Sequence, residues 1–177
     1  MPLLLSLVVL SAQPGEAPPG WFAGLEAHGT LLSGVAERSL LGVRFGGALR
    51  GGRRFEGHWG LAGLVESNLW LATELSRARV LRGALNLGVG PEFRWVGDHL
   101  RASLLVGPSI LLTPTLLDAP GSVGVFVTVT PAQLAWAVRS LRITLSVLSL
   151  SIVAPVLRGI PLVDVQFRTT VGVEVLP

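Results

Sequence analysis

The sequence predicts an all-β fold, an eight-stranded antiparallel up-and-down transmembrane β-barrel. Apolar and polar residues alternate along most of the 177-residue chain, in which 50% of residues are hydrophobic and only 14% are charged. No uninterrupted apolar run approaches the ~18 residues that a membrane-spanning helix needs. Successive side chains of a strand point to opposite faces, so such a chain can turn one face to lipid and the other to a polar lumen.

The alternation is strictest near the C-terminus, between Val163 and Val175. One face carries Val163, Val165, Phe167, Thr169, Val171, Val173 and Val175. The other carries Asp164, Gln166, Arg168, Thr170, Gly172 and Glu174. A period of two residues is strand geometry, and the regular charged face is what a lumen-facing surface requires.

The N-terminus predicts export. Leu3 to Leu10 is a short apolar core followed by small residues, as in a signal peptide covering residues 1–12 with cleavage after Ala12. Residues 13–20 contain three prolines and predict an extended linker, so the barrel domain spans residues 21–177. The alternative for the first segment is a buried N-terminal strand or helix.

The strands are predicted in chain order from this alternation. They cover residues 21–31, 40–49, 55–71, 80–96, 99–112, 123–138, 141–153 and 162–176. The sixth is the least regular, because Pro131 interrupts it and residues 132–138 fit either a continued strand or a helical turn. In the seventh, Ser149 and Ser151 change phase, which predicts a bulge or the end of the strand.

The predicted connections alternate in length. Short turns at Gly51–Arg54, Gly97–Asp98 and Arg139–Ser140 follow the second, fourth and sixth strands. The connections that follow the odd-numbered strands are mostly longer: Ser33–Arg38, Thr73–Ala78, Thr113–Ser122 and Ala154–Pro161. This is the pattern of a barrel with short periplasmic turns and long outer loops, and it places both termini on the periplasmic side.

Two further features bear on the strands. Pro91 and Pro108 follow Val-Gly inside the fourth and fifth strands, and we expect bulges there because proline donates no ladder hydrogen bond. Trp21, Trp59, Phe93 and Trp95 fall near strand ends, where aromatic girdles meet the membrane interface, although turns are frequent enough for this to arise by chance.

The inward face is predicted to hold a network of arginines and carboxylates. An eight-stranded barrel is just wide enough for side chains to fill it, and unpaired buried charges are costly, so these groups should pair. The predicted members are Glu26, Arg44, Arg50, Glu56, Glu66, Glu92, Arg94, Arg101, Asp164, Arg168 and Glu174. One interpretation is that the network only fills and specifies the barrel; the other is a narrow or gated ion path.

Composition excludes several function classes. All 14 basic residues are arginine and lie singly apart from Arg53-Arg54, which argues against a nucleic-acid partner. Cysteine is absent, so no thiol nucleophile or cysteine-ligated zinc is available. Neither a phosphate-binding loop nor a metal-ligand set is recognisable, and the three histidines are isolated, so we expect no cofactor and no metal.

The signal-like start, eight alternating segments and mixed-charge lumen resemble the small outer-membrane barrels of the OmpA transmembrane domain and OmpX type. The resemblance is one of architecture over residues 21–176, and the chain departs from it by ending Val175-Leu176-Pro177 without an aromatic residue. It implies location in the bacterial outer membrane, with membrane lipid and the barrel-assembly machinery as partners. It also implies a structural, adhesive or minor pore role, and we expect no enzymatic activity.

Two alternatives belong to other classes. A lipid-modifying barrel enzyme would need a nucleophile with a supported base. His99 with Ser103 is the only nearby His/Ser combination on one strand, while His28 with Glu26 and His58 near Glu56 are pairs of a base with an acid, and no motif places a hydroxyl. A soluble lipocalin-like carrier would use the same alternation with opposite faces, apolar inside and polar outside.

Overall fold

Eight long strands form a closed barrel in the computed structural model, which describes residues 20–34, 43–69, 83–111, 123–154, 156–157, 160–161 and 163–175. The strands are β1 Gly20–Gly34, β2 Val43–Arg54, β3 Trp59–Leu69, β4 Gly83–Trp95, β5 Leu100–Leu111, β6 Val123–Val138, β7 Leu141–Ala154 and β10 Asp164–Val175. Along the chain, β7 and β10 are connected through a separate two-stranded ribbon of β8 Val156–Leu157 and β9 Ile160–Pro161. No helix in these residues is long and apolar enough to span a membrane.

Every barrel strand is antiparallel to its neighbours, and β1 pairs with β10 to close the sheet. Around the barrel the order is β1, β10, β7, β6, β5, β4, β3, β2, which is the up-and-down topology predicted. Closure leaves no edge strand, which is the condition for a sheet to lie in hydrocarbon with its backbone groups satisfied. The predicted fold class and strand number are confirmed.

One end of the barrel, called the turn end here, carries the three short connections 55–58, 96–99 and 139–140. The first barrel strand begins at this same end, because Gly20 lies opposite Arg54, the residue before the 55–58 turn. The last barrel strand ends there too, because Val175 lies opposite Ala23 of β1. The other end, called the loop end, receives the connections 35–42, 70–82, 112–122 and 155–163. The short and long connections therefore alternate as predicted.

The predicted turn at Gly51–Arg54 is wrong, because β2 continues through these residues and turns only at residues 55–58. Glycine is needed here: a Cβ on Gly52 would lie 2.1 Å from the Leu61 carbonyl oxygen and 2.8 Å from Cε1 of Phe22. The ring of Phe22 thus occupies the lumen beside Gly52. A Gly-Gly pair considered from the sequence alone suggests a turn, but here Gly52 lets the neighbouring backbone and the Phe22 ring pack closely against β2.

Several predicted segments lie wholly or partly outside the described residues. The signal peptide at 1–12 and most of the linker at 13–20 do so, and Gly20 is the first residue of β1. The predicted loops at 73–78 and 113–122 also lie outside, whereas Ser33 and Gly34 of the predicted 33–38 loop still belong to β1.

The bulges predicted at Pro91 and Pro108 are wrong. One register joins β4 and β5 throughout, with Asn86 opposite Ser109 and Glu92 opposite Ser103. A Cβ on Gly90 or Gly107, the residue before each proline, would lie 2.0 Å from a carbonyl oxygen of the adjoining strand. These glycines therefore let the strands approach closely without an inserted residue.

The irregular pairing lies instead in β6 and β7. The register shifts where β6 passes Thr130, Pro131 and Ala132, yet β6 continues as one strand to Val138. In β7, Val147 and Leu148 both point outward, and the register with β10 shifts between Arg168 and Thr170. The predicted phase change before Ser149 is thus a bulge.

The two faces of the sheet decide its environment. Leu49, Val89 and Val171 on the outer face are each more than half exposed, at 58%, 57% and 52%. Glu66 and Glu92 on the inner face are 2% and 0% exposed. An apolar outside and a charged inside are the reverse of a soluble carrier, so the lipocalin-like alternative is wrong.

Aromatic side chains collect on the outer surface at the turn end. They are Trp21, Phe55, Trp59, Phe93, Trp95 and Trp136. Phe93 lies between two tryptophans, with ring centroids 5.0 Å from Trp59 and 5.2 Å from Trp95. All four predicted girdle residues lie at this end, where an interfacial belt would sit.

Candidate functional site: the charged lumen

Charged side chains from seven barrel strands and one turn meet inside the barrel in three groups. The group nearest the turn end, called the turn-end cluster here, comprises Arg54, Arg94, Asp98, Arg101, Arg142 and Glu174. These six side chains are buried. Each strand residue alternates with an outward neighbour, which is why strands far apart in sequence contribute charges to one space.

Glu174 is the centre of the turn-end cluster. Arg101 Nη1 donates to both of its oxygens at 2.8 and 2.9 Å, and Arg54 Nη2 donates to Oε2 at 3.0 Å. Asp98 is the second carboxylate, with Arg142 Nη2 2.7 Å from Oδ2 and Arg101 Nε 3.3 Å from Oδ1. Arg101 therefore links the two acids, as charge-assisted pairs do in a confined space.

Arg94 anchors a turn. Its Nη2 donates to the carbonyl oxygens of Phe55, Gly57 and Trp59 at 3.1, 3.3 and 3.1 Å. The connection between β2 and β3 is thereby tied to β4. Arg94 contributes to the shape of the turn end as well as to the charge of the cluster, because Nη1 also lies 3.8 Å from Asp98.

The middle group contains Glu26, Arg50, Glu92 and Gln133. Arg50 reaches two carboxylates, with Nη2 2.7 Å from Glu92 Oε2 and Nη1 3.4 Å from Glu26 Oε1. Gln133 Nε2 donates to the same Glu26 oxygen at 3.3 Å. The turn-end cluster holds four arginines and two acids, so the extra carboxylate of the middle group offsets part of its positive charge.

The third group surrounds Glu66, towards the loop end. Arg168 forms an ion pair with Glu66 Oε2, while Asn68 and Asn86 donate to Oε1 at 2.7 and 2.8 Å. His28 Nε2 lies 2.7 Å from Asn68 Oδ1. The carboxylate thus has one cationic and two neutral donors, which is the satisfaction that a buried charge requires.

Apolar side chains also fill part of the barrel interior. Leu64, Leu105 and Phe126 are 7%, 1% and 0% exposed and belong to one buried apolar cluster. The cavity bordered by Glu26, His28 and Arg50 has a volume of about 20 Å³. That volume is on the order of what one water molecule needs, at ~10–15 Å³. Side chains therefore occupy most of the space around this point of the barrel.

The structure places the predicted site residues as follows. Eight of them are inward and contact one another in the three groups: Glu26, Arg50, Glu66, Glu92, Arg94, Arg101, Arg168 and Glu174. Arg44 and Asp164 occupy strand positions opposite Thr30 and Gly34, and their side chains lie outside what the structure describes.

The predicted position of Glu56 is wrong. It was predicted to point into the lumen, but it lies in the turn between β2 and β3 with an exposed side chain. The cause is the boundary error at Gly51–Arg54: when β2 is extended to Arg54, the turn moves onto Phe55–His58.

Three lumen charges were missed: Arg54, Asp98 and Arg142. The alternation Arg50, Gly52, Arg54 would have found the first, had the glycines not been interpreted as a turn. Arg142 alternates with Leu141 and Ile143 and was available by the same rule. Asp98 gave no such signal, because it is a turn residue with a positive φ of 67° whose side chain folds back into the lumen.

The histidines do not form the combinations that an enzyme would need. His28 contacts Asn68, and His99 Nδ1 lies 3.0 Å from the Ala135 carbonyl oxygen. His58 lies in the exposed turn, with its ring 5.7 Å from that of Phe93. None of the three, all within the described residues, is hydrogen-bonded to a hydroxyl or a carboxylate.

Comparison with solved structures finds barrels of the same kind. Neisserial surface protein A (NspA) matches with a TM-score of 0.62 and 12% identity, over 88% of this chain and 96% of that protein. Ail, the attachment invasion locus protein of Yersinia pestis, matches with a TM-score of 0.56 and 12% identity, over 89% of this chain and 99% of Ail. A structure of Ail in complex with the heparin analogue sucrose octasulfate gives a TM-score of 0.51 at 11% identity.

The chain has the fold of the small eight-stranded outer-membrane barrels. No protein-family description and no curated protein matches the sequence. The likeness is therefore one of architecture, as the resemblance from the sequence implied, and the predicted type of barrel is confirmed. The TM-scores of 0.62 and 0.56 show that the chain shares the barrel fold of these proteins. The sequence identity of 12% is too low to transfer the role of any residue.

Proposed function

We propose that this outer-membrane barrel has a structural role in the bacterial outer membrane, with a lumen held closed by its Arg/Glu network and without a conducting path. The observation that carries the proposal is the volume of the cavity bordered by Glu26, Arg50, Glu66 and Arg168, which is only about 20 Å³. A minor pore role would require a continuous water path, and a cavity with room for about one water molecule does not supply one at this point of the lumen.

The ion pairs support closure because they cross the lumen. Arg101 and Glu174 join β5 to β10, and Arg168 and Glu66 join β10 to β3; neither pair of strands is adjacent. Opening a path by re-pairing would separate buried partners. Breaking such a pair costs about 3–5 kcal/mol, because it leaves a buried charge uncompensated. A gate built from these pairs would therefore open rarely.

Planar-bilayer recording tests the proposal. The full barrel is refolded into vesicles, its insertion is verified by heat-modifiable migration on a gel, and the same preparation is fused with the bilayer. We expect no unitary conductance in 1 M KCl. Reproducible unitary steps from wild-type protein, absent from protein-free vesicles, would establish the pore role and overturn the closed structural one.

Export and assembly follow from the proposed location. The segment 1–12 is proposed as the signal peptide, and the barrel-assembly machinery as the partner that inserts the barrel. Mass spectrometry of the protein recovered from outer membranes should give an N-terminus at Gln13. Recovery of an intact residue 1, or insertion that is unaffected by depletion of the machinery, would contradict these two points.

No enzymatic role is included in the proposal. Its support is the hydrogen bonding of the histidines: within the described residues, none of the three is bonded to a hydroxyl group of the kind that acyl transfer would use. Hydrolysis of a phospholipid or thioester by the refolded wild-type barrel would contradict it.

A further inference from the structure

Arg53 breaks the rule that charges point inward. Among the strand side chains whose exposure the structure describes, it is the one charged residue on the outer face of the barrel. Charged substitutions on a lipid face cost about 2–4 kcal/mol at the bilayer midplane and about 0–1 kcal/mol near the interfaces. An arginine is therefore tolerated here only if its depth brings it to polar groups.

The register gives that depth. Arg53 is the penultimate residue of β2 and lies opposite Trp21 on one side and Leu61 on the other. This is the level of the aromatic residues at the turn end, which mark the membrane interface. A guanidinium at this level is within reach of lipid headgroups by extending its side chain towards water.

The side chain of Arg53 is held between aromatic rings. Its Cζ lies 5.7 Å from the ring centroid of Trp21 and 6.0 Å from that of Phe55, within the range of cation–π contact. No described carboxylate forms an ion pair with it. Contacts with ring faces leave the N–H groups along the guanidinium edge available for an oxyanion, and this planar edge matches phosphate.

An open cleft of about 530 Å³ lies at this point, lined by Gly20, Trp21, Arg53, Arg54, Phe55 and Glu56. Glu56 is exposed and lines the same cleft as Arg53, within which the two side chains form no ion pair. The lining thus offers a cation and a separate anion, with apolar rings adjoining the lipid-facing surface. A zwitterionic headgroup on an acyl-chain lipid has the complementary arrangement.

We propose that this cleft binds the headgroup of phosphatidylethanolamine from the leaflet at the turn end. Arg53 donates hydrogen bonds to the phosphate oxygens, the ammonium group lies towards Glu56, and Trp21 and Phe55 contact the glycerol and upper acyl chains. The inference rests on the membrane location proposed above and adds a specific lipid site to it.

Native mass spectrometry of the refolded full chain, released from neutral maltoside micelles, tests the site. The probes are phosphatidylethanolamine, phosphatidylglycerol and a diacylglycerol with the same acyl chains, each at equal mole fraction, and inorganic phosphate alone. We expect phosphatidylethanolamine to bind wild type best. Arg53→Gln should weaken that binding by roughly tenfold, the scale of one hydrogen bond to a charged group.

Two further variants sharpen the assignment. Arg53→Lys should recover only part of the affinity, since lysine keeps the charge but loses the planar edge. Glu56→Gln should lower binding of phosphatidylethanolamine and raise that of phosphatidylglycerol, because the repulsive carboxylate is removed. Arg139→Gln is the matched control: Arg139 is an exposed arginine at the same end of the barrel and should leave lipid binding unchanged.

Equal binding by wild type and Arg53→Gln would overturn the proposal, as would an equal loss in Arg139→Gln. Saturation of the site by inorganic phosphate, with no preference for phospholipid, would also overturn it. Each variant is first verified as folded by heat-modifiable migration. If wild type fails to insert into vesicles, the membrane location fails; if it inserts and Arg53→Gln binds lipid normally, only the lipid site fails.

Discussion

Arg101 on β5 and Glu174 on β10 are paired across the lumen, with Arg101 Nη1 2.8 Å from Glu174 Oε1. Their strands are separated in the sheet by β6 and β7, so this contact spans the interior of the barrel. Glu174 also accepts from Arg54 on β2 at 3.0 Å. One carboxylate thereby links three strands at the turn end.

Glu174→Gln should destabilise the barrel far more than Arg142→Gln. The turn-end cluster has four arginines for two carboxylates, so loss of Glu174 leaves the positive charge largely uncompensated. We expect a loss of about 3–5 kcal/mol in the free energy of unfolding for Glu174→Gln. Arg142→Gln should cost less, about 1 kcal/mol, because Asp98 keeps Arg101 and Arg94 as partners and repulsion among the arginines is relieved.

Urea unfolding of the refolded barrels in lipid vesicles, followed by tryptophan fluorescence, measures both changes. Arg139→Gln, in the exposed turn between β6 and β7, serves as the control and should match wild type. Equal destabilisation by the glutamate and arginine variants would show that the charge imbalance of the cluster is unimportant.

Arg168→Ala should destabilise the barrel by leaving Glu66 buried with only neutral donors. The expected loss is about 3–5 kcal/mol, because one member of a buried pair has been removed. Adding Glu66→Gln to Arg168→Ala should recover part of it, since the remaining amide carries no charge. The temperature midpoint of heat modifiability on a gel measures the stability of each barrel. We expect it to be highest for wild type, lower for the double variant and lowest for Arg168→Ala. A single variant as heat-resistant as wild type would argue against a stabilising role for this pair.

Val171→Arg should impair insertion, because Val171 is exposed on the outer face near the middle of β10, opposite Ala27 and Leu145. A cost of about 2–4 kcal/mol is expected near the midplane. Val175→Arg is the matched control at the turn end of the same strand and face, where about 0–1 kcal/mol is expected. Vesicle insertion measured by gel shift distinguishes the two sites, and equal insertion of both would contradict the assigned depth.

Gly52→Ala should destabilise the barrel, because its Cβ would lie 2.1 Å from the Leu61 carbonyl oxygen and displace backbone. Overpacking of this kind costs about 1–3 kcal/mol. Gly63→Ala, also in a strand of the barrel, meets no atom closer than 3.7 Å and should be nearly neutral. Urea midpoints of the two variants test the difference, and a neutral Gly52→Ala would mean that β2 and β3 separate there at little cost.

Much of the lumen could be predicted because inward and outward positions follow from alternation alone. Glu66, Glu92 and Arg168 are buried at the positions that a period of two residues assigns. The errors lie where alternation is silent or ambiguous. Gly51-Gly52 has the composition of a turn, and only pairing with β1 and β3 shows that it is strand. That boundary moved Glu56 out of the lumen and Arg54 into it.

The prolines show the same limit. The sequence shows that Pro91 and Pro108 have no backbone N–H to donate to a neighbouring strand. Whether a bulge results depends on how closely the adjoining strand can approach. Gly90 and Gly107 allow that approach and the register is kept, whereas the pairing around Pro131 shifts. The distances between strands are a property of the assembled sheet.

The sequence by itself determined the strand class, the number of barrel strands, the alternation of short and long connections and the sorting of most side chains between lipid and lumen. All of these depend on local periodicity and on the need of a membrane sheet to close. Only the tertiary structure decided which charges meet, because the partners of Glu174 and Glu66 come from strands that are distant along the chain. Closure of the sheet and the stagger of its strands set those distances, and neither is encoded within any one strand.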